Sequence, residues 1–290
     1  MHIITASLRD SSLPSRRSFL GGASALLVES MLSEARAEPF MQQPREKNPD
    51  VIPGQQDRGL GPNPTADAML KFAADGKAKP FAGNTVIAHL PAQGLFRDGT
   101  IRLHNALSES SFAHKLAILP PESYHMTIFN GSNDLGRPDS TWPGGVPIEA
   151  PIEECNRIML QRMKSCQLRA QFPIEVSIDV DQTLDYGRAC TLRMRGASPD
   201  AGRNLRAIRD QLAAVYRVPV LPNDTYGFHI TIAYTMQDFS EQEHAEYTKL
   251  LQQQLPDLVK LAPTLELGLA EYCTFPNMYR FDVQHLLRVV

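Results

Sequence analysis

Only four cysteines occur in the 290 residues: Cys155, Cys166, Cys190 and Cys273. Their spacing matches no zinc or redox motif. Cys155 and Cys166 fall on one expected helix about three turns apart. That is too far to bridge, given the roughly 7 Å limit between α-carbons. All four are expected in the core. Long apolar runs are also missing. None reaches the roughly 20 residues that a membrane-spanning helix needs, so no membrane span is expected. Nor is there an excess of basic charge. The net charge of −3 argues against an extended nucleic-acid surface while leaving room for one small basic pocket. His89, His104 and His114 carry no metal-ligand spacing, so neither a metal nor a cofactor is expected. There is one tryptophan, Trp142.

What is present fits a soluble globular chain, with 42% hydrophobic and 21% charged residues. The N-terminus carries Ser15-Arg16-Arg17-Ser18-Phe19-Leu20, an apolar stretch to Val28, and Ala35-Arg36-Ala37. This resembles a twin-arginine export signal with cleavage after Ala37, and it points to the periplasm, with the cytoplasm as the alternative. Residues 1–37 are therefore expected to leave the mature fold. Residues 38–65 are rich in Pro, Gln, Gly, Asn and Asp and read as a solvated linker. Residues 66–290 are left as the folded domain, expected to be a monomer.

Within that domain, strands are expected at Asn84–Leu90, Lys115–Leu119, Tyr124–Phe129, Ile174–Val180, Ala189–Met194 and Phe228–Tyr234, and near Thr264–Glu271 and Arg280–Leu286. Helices are expected over Leu95–Leu107, Pro151–Gln167, Pro199–Arg217, and from the Ser240/Glu243 capping box to about Leu255. A long loop, Asn130–Val146, holds Trp142. Strands and helices mix without a βαβα series, which favours α+β with largely antiparallel sheets.

Two short strings carry the chemistry: His125-Met126-Thr127 and His229-Ile230-Thr231. Each lies on a strand of clean alternation, so its His and Thr share a face. His125, Thr127 and Phe129 are expected on one side of the first strand. Phe228, Ile230, Ile232 and Tyr234 are expected on the core side of the second. Two histidines with pKa values near 6.5 can hold opposite protonation states at neutral pH, one as base and one as acid. Threonine hydroxyls on the same face can bind phosphate oxygens. Such a pair suits hydrolysis of a phosphodiester without a metal, and either histidine could be the base.

The tandem pattern Tyr124-His125-Met126-Thr127-Ile128-Phe129 and His229-Ile230-Thr231-Ile232-Ala233-Tyr234 resembles the 2H phosphoesterase superfamily, which includes RNA 2′,3′-cyclic phosphodiesterase/ligase proteins. The stretch Lys71–Gly76 through Gly83-Asn84-Thr85-Val86 looks like the start of a poorly characterised bacterial branch. The resemblance implies a bilobal fold with a pseudo-twofold axis, two mainly antiparallel sheets with flanking helices, and the motifs facing each other across a central cleft. It also implies that His125, Thr127, His229 and Thr231 are the catalytic set. A 2′,3′-cyclic nucleotide or an RNA end is the expected substrate.

Two rival readings stand beside this one. Asp179-Val180-Asp181-Gln182-Thr183 reads as a strand ending in Asp-x-Asp-x-Thr, which resembles a magnesium-dependent aspartyl phosphatase. A non-catalytic nucleotide- or phosphate-binding module is the other. Arg188, Arg193 and Arg195 form a basic run, with Arg193 a candidate for substrate phosphate. Tyr226 and Trp142, placed in loops, are the candidates for stacking on a base, whereas Tyr124 and Tyr234 are expected in the core.

Overall fold

The computed structural model describes residues 66–135, 137, 142–186, 189–219 and 226–290. The expected signal and linker lie outside the described residues, which all fall in the unit Lys47–Val290. Chain order is α1 (Ala66–Lys71), β1 (Gly83–His89), α2 (Leu95–Ser108), β2 (Leu116–Ile118), β3 (His125–Asn133), α3 (Ile152–Ser165), β4 (Gln167–Leu168), β5 (Ile174–Ile178), α4 (Val180–Asp185), β6 (Ala189–Gly196), α5 (Pro199–Tyr216), β7 (His229–Thr235), α6 (Glu241–Leu261), β8 (Leu265–Leu267), β9 (Glu271–Asn277), β10 (Arg280–Leu286) and β11 (Arg288–Val289).

Local signals set the starts of α5 and α6. Ser198 accepts from the Ala201 amide ahead of Pro199 in the first turn of α5. Ser240 and Glu243 close the capping box of α6. The sequence predicts an end to α6 near Leu255, ahead of Pro256. The helix instead continues to Leu261 with the proline inside. Packing outweighs propensity there. Buried Leu258 fills the space left by Gly99 of α2, where an added Cβ would meet Leu258 Cδ1 at 2.2 Å.

Among the described residues, nine strands form one sheet. Eight lie in the order β10-β9-β1-β3-β7-β6-β5-β8, and β2 pairs with β7; β4 and β11 make a separate parallel pair. All pairings in the large sheet are antiparallel. The α+β class and antiparallel pairing are as expected, while the two expected sheets are joined into one through β3 and β7. Outward from that central pair the halves match: β1, α2 and β3 on one side, and β6, α5 and β7 on the other, with two further strands beyond each.

Helices cover the sheet face opposite the motif histidines. Tyr124, buried on that face, meets His104 of α2 through its hydroxyl at 2.9 Å. Phe129 packs on Tyr216 of α5, with ring centroids 4.9 Å apart. The Tyr272 hydroxyl donates to the Asn156 carbonyl of α3. Met126, Ile128, Ile230 and Ile232 are fully buried beneath the motifs. Burying each such side chain contributes about 1.5–3 kcal/mol. Cys155, Cys190 and Cys273 are buried and Cys166 is half-buried, all as free thiols.

Candidate active site

The decisive register is Met126 opposite Ile230 in the antiparallel β3–β7 pair. One step to either side sets His125 against Thr231 and Thr127 against His229, all four on one face. Directly opposed residues have Cβ atoms about 4.5–5.5 Å apart and diagonal ones about 7–8 Å apart, so the two histidines sit on the diagonal.

Both rings are held by the same device. His125 Nδ1 bonds the Ser123 carbonyl at 2.7 Å, and His229 Nδ1 bonds the Gly227 carbonyl at 2.9 Å. A carbonyl only accepts, so each Nδ1 carries a proton, which leaves Nε2 as the nitrogen that can gain or lose one. Burial pushes the His125 imidazole down from its ordinary 6.5 to about 3. The Ser123 bond opposes that shift, and charge on His89, His229 and Lys71 adds to it. His125 is therefore neutral at pH 7. His229 and Lys71 lie close enough for their charge to act on it.

Each motif is followed by a β-bulge. The β1–β3 register shifts between Val86 and Ile87, whose partners are Phe129 and Thr127, so Ile128 is the extra residue. The β6–β7 register shifts between Cys190 and Thr191, whose partners are Ala233 and Thr231, so Ile232 is extra. The carbonyl of each bulge is satisfied from outside the ladder. Arg209 Nη1 donates to Ile128 O, and the Leu119 amide donates to Ile232 O.

The bulges correct two expectations of strict alternation. Phe129 leaves the His125 face and joins α5. Tyr234 moves to the motif face, half-buried, where it packs on Phe72 under Lys71, whose Nζ lies 5.1 Å from its ring centre. Lys71 is a cation near His125 that neither motif announces. Only its presence in the family-like stretch Lys71–Gly76 hinted at it.

Arg193 lies where the basic run suggested a phosphate contact, directly opposite His229 across β6–β7. It is 6% exposed, with its guanidinium 4.8 Å from the Tyr186 ring centre. It also packs against Gly227, where an added Cβ would meet Nη2 at 1.5 Å. Arg195 is exposed, and Arg188 lies outside the described residues.

Neither expected stacking residue is open to a base. Tyr226 is buried behind His229, with Arg209 3.3 Å from its ring centre and its hydroxyl donating to Asn130. Trp142 is buried too. Its indole N–H donates to the Val146 and Pro147 carbonyls, and Arg137 lies 4.4 Å over its ring. It serves the loop and is not brought to the motif face by any of these contacts. The aromatic ring against His125 is Phe281 of β10, at 4.2 Å between centres.

On the other flank of the motifs, His89 lies opposite His125 across β1–β3. Its Nδ1 is bonded to the Glu271 carboxylate. Among the described residues, His89, Glu271 and Cys273 are the group that could hold a metal, with donor atoms within 4.8 Å of one another. The phosphatase-like Asp179 is engaged otherwise. It caps α4, accepting from the Gln182 amide at 3.0 Å and from the Gln182 side chain at 3.1 Å. It does so beside antiparallel strands, not at the end of the parallel strand that the aspartyl phosphatase reading requires.

Residues 71–184 match the sequence profile of 2H-phosphodiest, described as a domain of unknown function (DUF1868). The matched segment is less than half of the chain. It contains His125 and Thr127, whereas His229 and Thr231 lie beyond it. A crystal structure of a conserved protein of unknown function from Agrobacterium tumefaciens strain C58 is similar at TM-score 0.70. It has 24% identity over 77% of this chain and 93% of that one, and it shares the fold. A crystal structure from Thermus thermophilus aligns only at TM-score 0.35, with 13% identity over 70% of this chain and 96% of that one. No curated protein matches the chain. No helix among the described residues is long and apolar enough to cross a membrane.

Proposed function

We propose that this chain is a metal-independent phosphodiester hydrolase acting on a 2′,3′-cyclic nucleotide or an RNA end. His125 is the base and His229 the acid. The observation that carries this reading is the Met126–Ile230 register, which sets both His-x-Thr motifs side by side on one sheet face. The family of residues 71–184 supports a phosphoesterase-type enzyme.

In the step we infer, His125 Nε2 takes a proton from water as the water oxygen bonds to phosphorus. The bond from phosphorus to the ribose oxygen breaks, and His229 Nε2–H protonates that leaving oxygen. Neutral His125, with Nδ1–H held by the Ser123 carbonyl, has its Nε2 lone pair free to accept that proton. Thr127 and Thr231 hydroxyls hold the non-bridging oxygens, and Arg193 supplies fixed positive charge beside His229. Two imidazoles supply both proton transfers, so the step needs no metal.

The test is hydrolysis of a 2′,3′-cyclic nucleotide by the purified chain in excess EDTA. Turnover should persist, and His125→Ala or His229→Ala should each lower kcat/KM by about 10²–10⁴-fold. Turnover that dies on chelation contradicts the metal-independent step. Binding without turnover in the unaltered chain would establish the non-catalytic reading instead.

A further inference from the structure

The two flanks of the motif pair are chemically unlike, and this gives the substrate a direction. We propose that the nucleoside of the substrate lies on the β1–β9–β10 side, with its base on Phe281 and a sugar hydroxyl at Glu271. The inference rests on the phosphodiester reading above.

On the β6 side the surface is closed. Arg193 is 6% exposed, lies against the Tyr186 ring, and abuts Gly227, where even a methyl group does not fit. A buried guanidinium suits a compact anion such as a phosphate oxygen. Among the described residues, this flank leaves no place for a sugar and a base.

The β1 side differs in each respect. His89 holds the position opposite His125 that Arg193 holds opposite His229. Its side chain is 23% exposed, and that of its partner Glu271 is 19% exposed, so both reach the surface beside the motifs. Phe281 is half-buried with its ring against His125, backed by Phe275 at 5.2 Å between centres.

A carboxylate accepts hydrogen bonds and repels phosphate, so among the groups of a phosphodiester substrate it favours a neutral donor. A sugar hydroxyl fits, and a second phosphate does not. The Nδ1 bond to Glu271 fixes the His89 ring, so its Nε2 is the second polar atom offered to the sugar. The Phe281 ring against His125 offers an aromatic face that matches the flat side of a nucleobase.

The experiment compares two substrates with the same five-membered cyclic phosphate: uridine 2′,3′-cyclic phosphate and glycerol 1,2-cyclic phosphate, which lacks base and sugar ring. Phe281→Ala should raise KM about tenfold for the nucleotide and leave KM for the glycerol compound within about twofold. Glu271→Gln should show the same split. Phe281→Leu keeps apolar bulk behind His125 without a π face, and it serves if the alanine variant fails to fold. A KM change shared equally by both substrates, or absent from both, overturns the inference. Calorimetric binding of uridine 3′-phosphate against glycerol 2-phosphate applies the same variants to a chain that turns over neither compound. Selective loss of the nucleotide there supports the side assignment even if the hydrolase reading fails. Equal loss, or none, overturns it.

Discussion

His125 and His229 depend on atoms two residues upstream. Ser123 and Gly227 each present a carbonyl to Nδ1, which fixes the tautomer and the ring. Gly227 has a second task, since only a residue without a side chain leaves room for the Arg193 guanidinium. The low pKa of His125 has a measurable consequence. With the group neutral down to about pH 3, kcat/KM should hold through pH 5 and not fall with a midpoint near 6.5. A pH–rate profile on the cyclic nucleotide checks this, and an acid limb centred near 6.5 contradicts the base assignment. The same shift acts on stability. The unfolded chain takes up this proton first as pH falls below about 6.5. The stabilisation from His125 is therefore complete above that value and is lost progressively towards about 3.

At the level of elements, β3 and β7 separate stability from chemistry by strand alternation. Met126 and Ile230 point into the core under the helices, while the motif residues point the other way. Ile230→Ala should cost about 2–5 kcal/mol of unfolding free energy, with the activity of the remaining folded protein largely kept. Thr231→Ala should change stability by less than about 0.5 kcal/mol and lower turnover. Denaturant unfolding paired with kinetics reads both.

These strands were legible because alternation and capping are local properties of a sequence. Ser198, Ser240 and Glu243 announced their helices in the same way. The bulges at Ile128 and Ile232 were not legible, since an extra residue is defined only by the register of a partner strand. Missing them misplaced Phe129 and Tyr234. Tyr226 and Trp142 looked available because loops are usually exposed, yet Arg209 and the 146–147 carbonyls enclose them. His89, Glu271 and Phe281 come from three strands far apart in sequence, and no spacing announces them.

At the scale of the molecule, the strand order repeats outward from β3 and β7, so each half contributes one histidine, one threonine and one flanking polar residue. The halves then diverge into a closed cationic flank and an open one. The twin-arginine pattern at the N-terminus predicts export. Fractionated cells should yield a periplasmic chain starting near residue 38, and a full-length cytoplasmic chain contradicts export.

The central claim is that His125 and His229 act together on one phosphate. A double-mutant cycle on kcat/KM with His125→Ala, His229→Ala and the pair tests it most directly. Groups that act as a unit are strongly non-additive, so the double variant should be little slower than the worse single one. Losses that multiply independently, or a single variant that retains full turnover, would contradict the account.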